Sequence, residues 1–269
     1  MTGPRPKRII FHLGFQKTGT TSIQRFLNEN APLVPEIDIR AYGDATKALR
    51  VRGRRYCATG SERDRAALES AVDDVLDDFR AGSSRLAIVS DENILGRVSY
   101  DETGHILLWA ERILPILSER AADLAPEFAF YTRAPDRWFA SLYNQAVKRG
   151  GVTAGFDRWR AAVPFEVEWP EWRARFEAAA GRPVSFLSME EELASGLPLG
   201  SGLLRLAGVG EDRIAALRPV PVENASLSGR ALGVMRLVNR LPLSHRNLMK
   251  VSEWVERRDR ALGRGRRRT

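Results

Sequence analysis

The chain has 269 residues, of which 43% are hydrophobic and 28% are charged, a composition typical of a globular protein with a full core. Its single cysteine, Cys57, excludes an intramolecular disulfide and is expected to be an inert thiol. No apolar run approaches the roughly 20 residues that span a bilayer, and the first residues lack the apolar core of a signal peptide. We therefore expect a cytoplasmic protein with no transmembrane segment.

The net charge of +8 is concentrated at the C-terminal end. Residues 257–269 contain seven arginines and one acidic residue, so this basic tail carries +6. Such a tail is a solvated terminus, an arm that binds a polyanion or membrane phosphate, or part of the cofactor site, and we favour a solvated or weakly anion-binding tail. Few aromatic residues alternate with these arginines, so we expect no specific recognition of nucleic acid.

Residues 8–28 predict a strand, a phosphate-binding turn and a helix. Ile9, Ile10 and Phe11 of the strand are apolar and favour β structure, as for a strand buried on both faces of a parallel sheet, and the turn is rich in glycines and hydroxyls. Backbone N–H groups at the start of such a helix bind anions. In nucleotide-triphosphate loops a lysine follows the second glycine directly, whereas here Thr20 holds that position and Lys17 lies inside the loop. This difference argues against an ordinary ATPase or kinase.

Residues 30–59 are rich in arginine, proline and glycine without clean periodicity, so we predict a long irregular segment. Apolar residues at helical spacing then predict a helix over residues 65–82. An acidic cluster is offset from the apolar residues of this helix, and it comprises Asp73, Asp74, Asp77 and Asp78. We interpret the cluster as a solvated face, with a metal site as the alternative.

A second apolar strand is predicted over residues 85–90, and it ends in the polar residues Asp91, Glu92 and Asn93. Ligands of open α/β sheets bind beyond the carboxyl ends of the strands, so these side chains are expected to face the site. A helix over residues 105–121 follows, and Pro115 is expected to kink or divide it.

A third strand, over residues 127–132, leads into a second motif that suits a phosphate. Arg133 follows the strand, Pro135 opens a helix, and Ser141 lies about two turns along that helix. An arginine offers a fork of N–H donors to a phosphate, and a serine hydroxyl can reach the same group. An arginine and proline that merely open an amphipathic helix are the alternative. Two such positions at separate strand ends suit a nucleotide with two phosphate positions.

A helix over residues 171–180 and a fourth strand over residues 184–187 continue the alternating pattern. Strands that alternate with helices predict an α/β fold with a parallel sheet and right-handed crossovers. The sequence from residue 200 on is predicted to be wholly helical. We therefore expect a single domain over residues 1–269, with an α/β core at 1–200 and a helical C-terminal portion with the basic tail at 201–269.

Two of these motifs together resemble one known family. The segment QKTGTTS, residues 16–22, resembles the 5′-phosphosulfate-binding loop of sulfotransferases that use 3′-phosphoadenosine 5′-phosphosulfate (PAPS), although Gln16 stands where proline is more frequent. The spacing of Arg133, Pro135, Ser141 and Tyr143 resembles the 3′-phosphate-binding motif of the same family, and residues 223–232 are similar to a segment of its bacterial members. The likeness is to the bacterial type that resembles carbohydrate sulfotransferases, and it implies a three-layer P-loop-type fold with a central parallel sheet flanked by helices.

The resemblance implies transfer of a sulfuryl group from PAPS, as co-substrate, to a hydroxyl or amine of an acceptor such as a carbohydrate, glycolipid or secondary metabolite. This chemistry requires no metal. Lys17 would stabilise the leaving oxygen, while Arg133 and Ser141 would hold the 3′-phosphate. The 5′-phosphate would be held by the loop and first helical turn: Thr18, Gly19, Thr20, Thr21 and Ser22.

The base that takes the acceptor proton is expected at the end of the second predicted strand, where family members carry a histidine or a glutamate. Glu92 is therefore the first candidate and Asp91 the second, although either carboxylate could simply cap the following helix. Asp44 and His12 are remoter candidates, and His12 is expected to be a packed strand residue.

Two other functions fit parts of the sequence. A P-loop kinase-like phosphotransferase would share the fold but would need a magnesium ion and an aspartate to hold it. A non-catalytic polyanion-binding protein would use the basic tail, and its binding would fall steeply with salt.

Overall fold

The structure is a computed structural model that describes residues 6–95, 103–220 and 226–265, without the side chains of residues 103–105 and 263–265. Three of the seven arginines of the predicted basic tail, and the start of the segment at 223–232, lie outside the described residues. Among the residues that the structure describes, no helix combines the length and the apolar character needed to cross a membrane.

Five parallel strands form one sheet in the order β2-β3-β1-β4-β5. The strands are β1 (Arg8–His12), β2 (Ile37–Ala41), β3 (Leu86–Ser90), β4 (Pro126–Thr132) and β5 (Val184–Ser188). The three central strands are almost entirely buried, as their apolar sequences predict. Helices flank the sheet, so the predicted α/β class with a parallel sheet is confirmed.

Helices make up most of the remaining described residues. They are α1 (Thr20–Asn30), α2 (Asp44–Thr59), α3 (Glu62–Ala81), α4 (Thr103–Arg120), α5 (Pro135–Arg149), α6 (Phe156–Ala161), α7 (Trp169–Ala180), α8 (Met189–Ala194), α9 (Ser201–Leu206), α10 (Glu211–Ala215), α11 (Gly229–Val238) and α12 (His245–Gly265). Short 3-10 turns lie at Ala31–Leu33, Glu92–Leu95 and Ala122–Leu124. Pro115 lies inside α4 and does not divide it.

The prediction of an irregular segment over residues 30–59 is wrong, because these residues contain β2 and α2. β2 is an edge strand of five residues, too short to show a clear period. The glycine inside α2 is a packing requirement rather than a helix breaker. A Cβ at Gly53 would lie 3.2 Å from the carbonyl oxygen of Ile94 and 3.3 Å from Cδ1 of Ile113. Close packing therefore outweighs the low helix propensity of glycine at this position.

The contacts divide the chain into two compact units. The first unit comprises Met1–Arg133 and Phe165–Glu223, and it contains the whole sheet. The second unit comprises Ala134–Pro164 and Asn224–Thr269, which include α5, α6, α11 and α12.

The acidic cluster of α3 pairs with arginines. Asp73 pairs with Arg120, Asp77 lies 2.8 Å from Nη1 of Arg80, and Asp78 lies 3.6 Å from Nη1 of Arg40. A solvated face that carries ion pairs accounts for these carboxylates.

Cys57 is buried, and burial raises the pKa of its thiol to about 12. The thiol therefore stays protonated at neutral pH, in the form that is not nucleophilic. This environment agrees with the inert thiol that we expected.

Candidate active site

The site lies at the carboxyl ends of three neighbouring strands in the centre of the sheet. β1 pairs with β3 on one side and with β4 on the other. All three strands are parallel, so their carboxyl ends lie side by side. The chain leaves β1 toward β2 at one edge of the sheet and leaves β4 toward β5 at the other. The connections that leave β1 and its neighbour β4 thus run in opposite directions across the sheet. Open α/β sheets bind ligands at such a position.

The loop after β1, residues 14–19 and here called the Lys17 loop, has an unusual backbone. Lys17 has φ 71°, a left-handed conformation that non-glycine residues adopt only when the surroundings impose it. Gly19 has φ 87°, and a Cβ there would lie 2.9 Å from Cδ1 of Leu199. α1 begins directly after Gly19 without a side-chain cap hydrogen bond. A helix start of this kind suits an anion at its N–H groups.

The Lys17 loop is anchored by one fully buried aromatic side chain. The ring of Phe15 lies 4.9 Å from that of Trp169, 5.5 Å from that of Trp172 and 5.7 Å from that of Phe130, measured between centroids. The hydroxyl of Thr18 donates to the carbonyl oxygen of Phe15 over 2.5 Å. The residues on both sides of Lys17 are therefore fixed by buried packing and by a short hydrogen bond.

Arg133 at the end of β4 contacts the Lys17 loop directly. Its Nη1 donates to the carbonyl oxygen of Lys17 over 3.2 Å, and its own carbonyl oxygen accepts from Nε1 of Trp169 over 2.9 Å. The structure therefore brings the guanidinium of Arg133 to the backbone of the Lys17 loop, although more than one hundred residues separate the two in the sequence. An arginine that contacts a lysine-bearing loop favours an anionic ligand here.

Glu92 lies beside the start of α1. Its Oε2 accepts from Nε2 of Gln24 over 2.6 Å, and the hydroxyl of Thr20 also bonds to the carboxylate. Burial raises the pKa of Glu92, and these hydrogen bonds oppose the rise only in part. The carboxylate is thus oriented by two groups of α1 and is a stronger base than an exposed glutamate.

Asp91 has a different environment from its neighbour. Its carboxylate is fully buried, and its Oδ2 accepts from Oγ1 of Thr46 over 2.6 Å and from Nη1 of Arg50 over 2.5 Å. Its Oδ1 accepts from the backbone N–H of Asn93 over 3.0 Å. These bonds attach α2 and the 3-10 turn to the end of β3. Asp44, the remoter candidate, is exposed at the start of α2.

His12 is a fully buried strand residue, as expected. Its Nδ1 lies 2.7 Å from the hydroxyl oxygen of Ser90, and its ring packs edge-on against Tyr131. Burial lowers the pKa of His12 to about 3, so the imidazole is neutral at physiological pH. Within the described part of the chain, its Nε2 has no hydrogen-bond partner.

Ser141 lies on α5 in the second unit and is partly exposed, whereas Arg133 is the last residue of the first stretch of the first unit. The hydroxyl of Tyr143, also part of the motif, donates to the carbonyl oxygen of Ala154 within the second unit. The role of Ser141 in holding a phosphate therefore stays a prediction from sequence.

Three residues near the site were missed by sequence reasoning. Gln24 orients Glu92, Nε2 of Gln16 donates to Oδ1 of Asn93 over 2.9 Å, and Arg50 pairs with Asp91. Gln24 carries a signal in the sequence, since it is a polar residue on the buried face of α1. Arg50 carries none, because the helix to which it belongs was not predicted.

In chemical terms the site combines two cations, a helix start without a side-chain cap, buried hydroxyls and a carboxylate of raised pKa. Among the described residues, no group of three or more histidine, cysteine, aspartate or glutamate side chains is arranged to hold a metal ion. Comparison with models of known protein families finds no match for the chain, and comparison with curated proteins finds none either.

Proposed function

We propose that this chain is a PAPS-dependent sulfotransferase with a P-loop-type, three-layer fold. The observation that carries the proposal is the arrangement at the carboxyl ends of the central strands, where Lys17, Arg133 and Glu92 follow three adjacent parallel strands. A central β1 that leads through a glycine loop into α1 supports the P-loop-type fold. The resemblance of the loop and of the arginine motif supports the choice of donor.

The residues present fit an anionic donor. Lys17 neutralises charge on the oxygen that departs from sulfur, and the N–H groups from Thr18 to Ser22 hold the 5′-phosphate. Arg133 holds the 3′-phosphate, for which its fork of N–H donors is suited. When bound, PAPS supplies the sulfuryl group. The residues of this chain therefore act mainly by positioning and by electrostatic stabilisation, as in phosphoryl transfer.

Glu92 takes the proton of the acceptor hydroxyl or amine. A general base is most effective when its pKa approaches the working pH, and burial moves the pKa of Glu92 in that direction. Gln24 and Thr20 fix the orientation of the carboxylate. The acceptor belongs to the class of carbohydrates, glycolipids or secondary metabolites.

A P-loop kinase-like phosphotransferase is less well supported. It would need a lysine at position 20 and a strand-end aspartate free to hold magnesium, but position 20 is threonine and Asp91 is buried against Arg50. Turnover that requires magnesium would favour the kinase. A non-catalytic polyanion-binding protein would yield no sulfated product from PAPS and any acceptor.

The proposal is tested by calorimetry with 3′-phosphoadenosine 5′-phosphate, the nucleotide product of PAPS. Lys17→Ala and Arg133→Ala should each weaken binding at least tenfold, or about 1.4 kcal/mol. Lys47→Ala and Arg63→Ala remove exposed cations of the same unit and should leave affinity unchanged.

A second ligand separates the two phosphate positions. Adenosine 5′-phosphate lacks the 3′-phosphate. Arg133→Ala should therefore lower the affinity for adenosine 5′-phosphate much less than it lowers the affinity for 3′-phosphoadenosine 5′-phosphate. Unchanged affinity of both site variants for both ligands would contradict the assignment of the site.

A further inference from the structure

The second unit exposes large apolar side chains on α11, on the loop that follows it and on α12. Leu237 is 61% exposed, Trp254 is 52% exposed and Leu262 is 72% exposed. Together with three further exposed side chains they define what we call the α11–α12 surface: Val234, Leu237, Leu241, Leu243, Trp254 and Leu262. Single exposed apolar residues are ordinary, but several on adjoining elements indicate a binding surface.

Helical spacing aligns basic and apolar side chains on each helix. On α12, Lys250, Trp254, Arg258 and Leu262 follow one another at intervals of four residues, and the guanidinium of Arg258 lies 5.4 Å from the ring of Trp254. On α11, Arg230 and Val234 have the same spacing, and Leu237 follows three residues later. The opposite faces are buried at residues such as Met235 and Val255. The exposed faces are therefore not required for the core of the unit.

The charge of the protein is concentrated in the same stretch. Residues 226–269 contain twelve lysines and arginines against three acidic residues, a net charge of +9. Because the whole chain carries +8, all of its net positive charge lies in this stretch. This charge favours an anionic occupant of the α11–α12 surface, and the exposed side chains require an occupant that also accepts apolar groups.

These two requirements select among occupants. A second copy of the chain would bring the same positive charge, which disfavours self-association. Nucleic acid offers phosphates but no apolar medium for exposed leucine and valine side chains. A protein groove accepts a continuous apolar helix face, whereas here arginine or lysine alternates with tryptophan or leucine along one row of α12. An anionic bilayer surface accepts both, because phosphates and the first methylenes lie at similar depth.

We propose that the α11–α12 surface binds the anionic surface of a lipid bilayer. Trp254, Leu237 and Leu262 enter the boundary between headgroups and acyl chains, and the flanking arginines contact lipid phosphates. Contact is peripheral, since the helices lie on the bilayer and do not cross it. This inference does not depend on the sulfotransferase proposal, because it concerns a different unit and requires no turnover.

The test is co-sedimentation of the full chain with vesicles of phosphatidylcholine, with and without phosphatidylserine. We expect binding only to the vesicles that contain phosphatidylserine, and weaker binding as salt increases. The double substitution Leu237→Ser with Trp254→Ser keeps every charge and should weaken binding at least tenfold. Both positions are exposed, so circular dichroism should show an unchanged fold.

A matched control substitutes exposed apolar residues of the first unit, Val51→Ser with Leu193→Ser, and should leave vesicle binding unchanged. Absence of binding to phosphatidylserine vesicles would overturn the proposal. Equal loss of binding in the control would also overturn it, as would full binding by the double variant, which would indicate charge attraction alone. Dimers that Trp254→Ser dissociates would instead identify a second copy as the occupant.

Discussion

At the scale of single residues, the end of β3 carries two adjacent carboxylates with different environments. Asp91 is fully buried and bonded to Thr46 and Arg50 of α2, whereas Glu92 is bonded to Gln24 of α1. The direct ion pair with Arg50 indicates a structural role for Asp91. Among the described residues no cation pairs with Glu92, and burial raises its pKa, so Glu92 is the better supported candidate for the base.

The pH dependence of turnover tests this difference. Because burial raises the pKa of Glu92, we expect the acid limb of the kcat/KM profile above the ordinary range of glutamate. Glu92→Gln should abolish that limb and lower turnover by about 100-fold or more, while affinity for 3′-phosphoadenosine 5′-phosphate stays nearly constant. Glu171→Gln, at an exposed position, serves as control. A profile of Glu92→Gln with the original acid limb would exclude this residue as the base.

His12 predicts a pH dependence of stability. Its pKa is about 3 in the folded protein and about 6.5 in an unfolded chain, so the unfolded state binds an extra proton between these values. Stability is therefore lost as pH falls below about 6.5, by about 2 kcal/mol at pH 5. Urea unfolding should show a shallower pH dependence for His12→Asn than for the natural chain. His245→Asn, at an exposed position, should keep the full slope; a full slope in His12→Asn as well would refute the prediction.

At the scale of elements, polar contacts of Arg50 attach α2 to the end of β3. Arg50 donates to Asp91 and to Thr46, and its guanidinium lies 4.2 Å from the ring of Tyr42. Removal of Asp91 would leave the guanidinium of Arg50 largely buried without its counter-charge. Such a loss is costly, because a buried charge that loses its partner cannot recover its hydration.

Asp91→Asn should therefore destabilise the protein by about 3 kcal/mol in urea unfolding. Asp78→Asn is a matched control, since its pair with Arg40 is long and Asp78 is exposed, and it should change stability by less than about 0.5 kcal/mol. Folded Asp91→Asn should retain turnover within tenfold of the natural chain. Loss of turnover on the scale of Glu92→Gln would instead make Asp91 the base.

At the scale of the whole molecule, each unit has its own polar network. In the second unit, the buried carboxylate of Glu256 faces three cations: Arg149 at 2.9 Å, Arg260 at 3.3 Å and Lys148 at 4.0 Å. The side-chain amide of Asn144 in α5 pairs with the backbone of Leu227, and Ser228 at the start of α11 donates to Asp259 of α12. These contacts join α5, α11 and α12.

Glu256→Gln tests the independence of the units. The substitution leaves three cations around a neutral amide, so we expect faster hydrogen exchange in α5, α11 and α12 and unchanged exchange in β1, β3 and β4. Glu253→Gln alters an exposed carboxylate of the same helix and should change neither set. Equal acceleration across both units would mean that they open together.

The elements that the sequence predicted correctly are those with the strongest local signal. β1, β3 and β4 each contain a short run of apolar residues, and the glycines and hydroxyls after β1 specify the turn into α1. β2 and α2 were missed because their stability comes from neighbours: β2 is the edge strand beside β3, and α2 depends on Gly53 packing and on Asp91. Local propensity does not contain these contacts.

The same limit applies to the site. Loop position and motif spacing predicted that Lys17, Glu92 and Arg133 each follow a strand. They did not predict the hydrogen bond between Arg133 and the Lys17 carbonyl oxygen. The left-handed backbone of Lys17 could not be predicted either, because lysine has no local preference for that conformation. The division of the motif of Arg133 and Ser141 between two units depends on long-range contacts.

The second unit is built from two stretches of chain, Ala134–Pro164 and Asn224–Thr269, separated by Phe165–Glu223. On the ribosome, α5 is therefore synthesised well before α11 and α12. At about 5–20 residues per second, the delay between the end of α5 and the start of α11 is about 4–16 s. Throughout that interval Lys148 lacks Glu256 and Asn144 lacks Leu227. The nascent chain thus passes through a stage in which α5 exists without the helices that complete its unit.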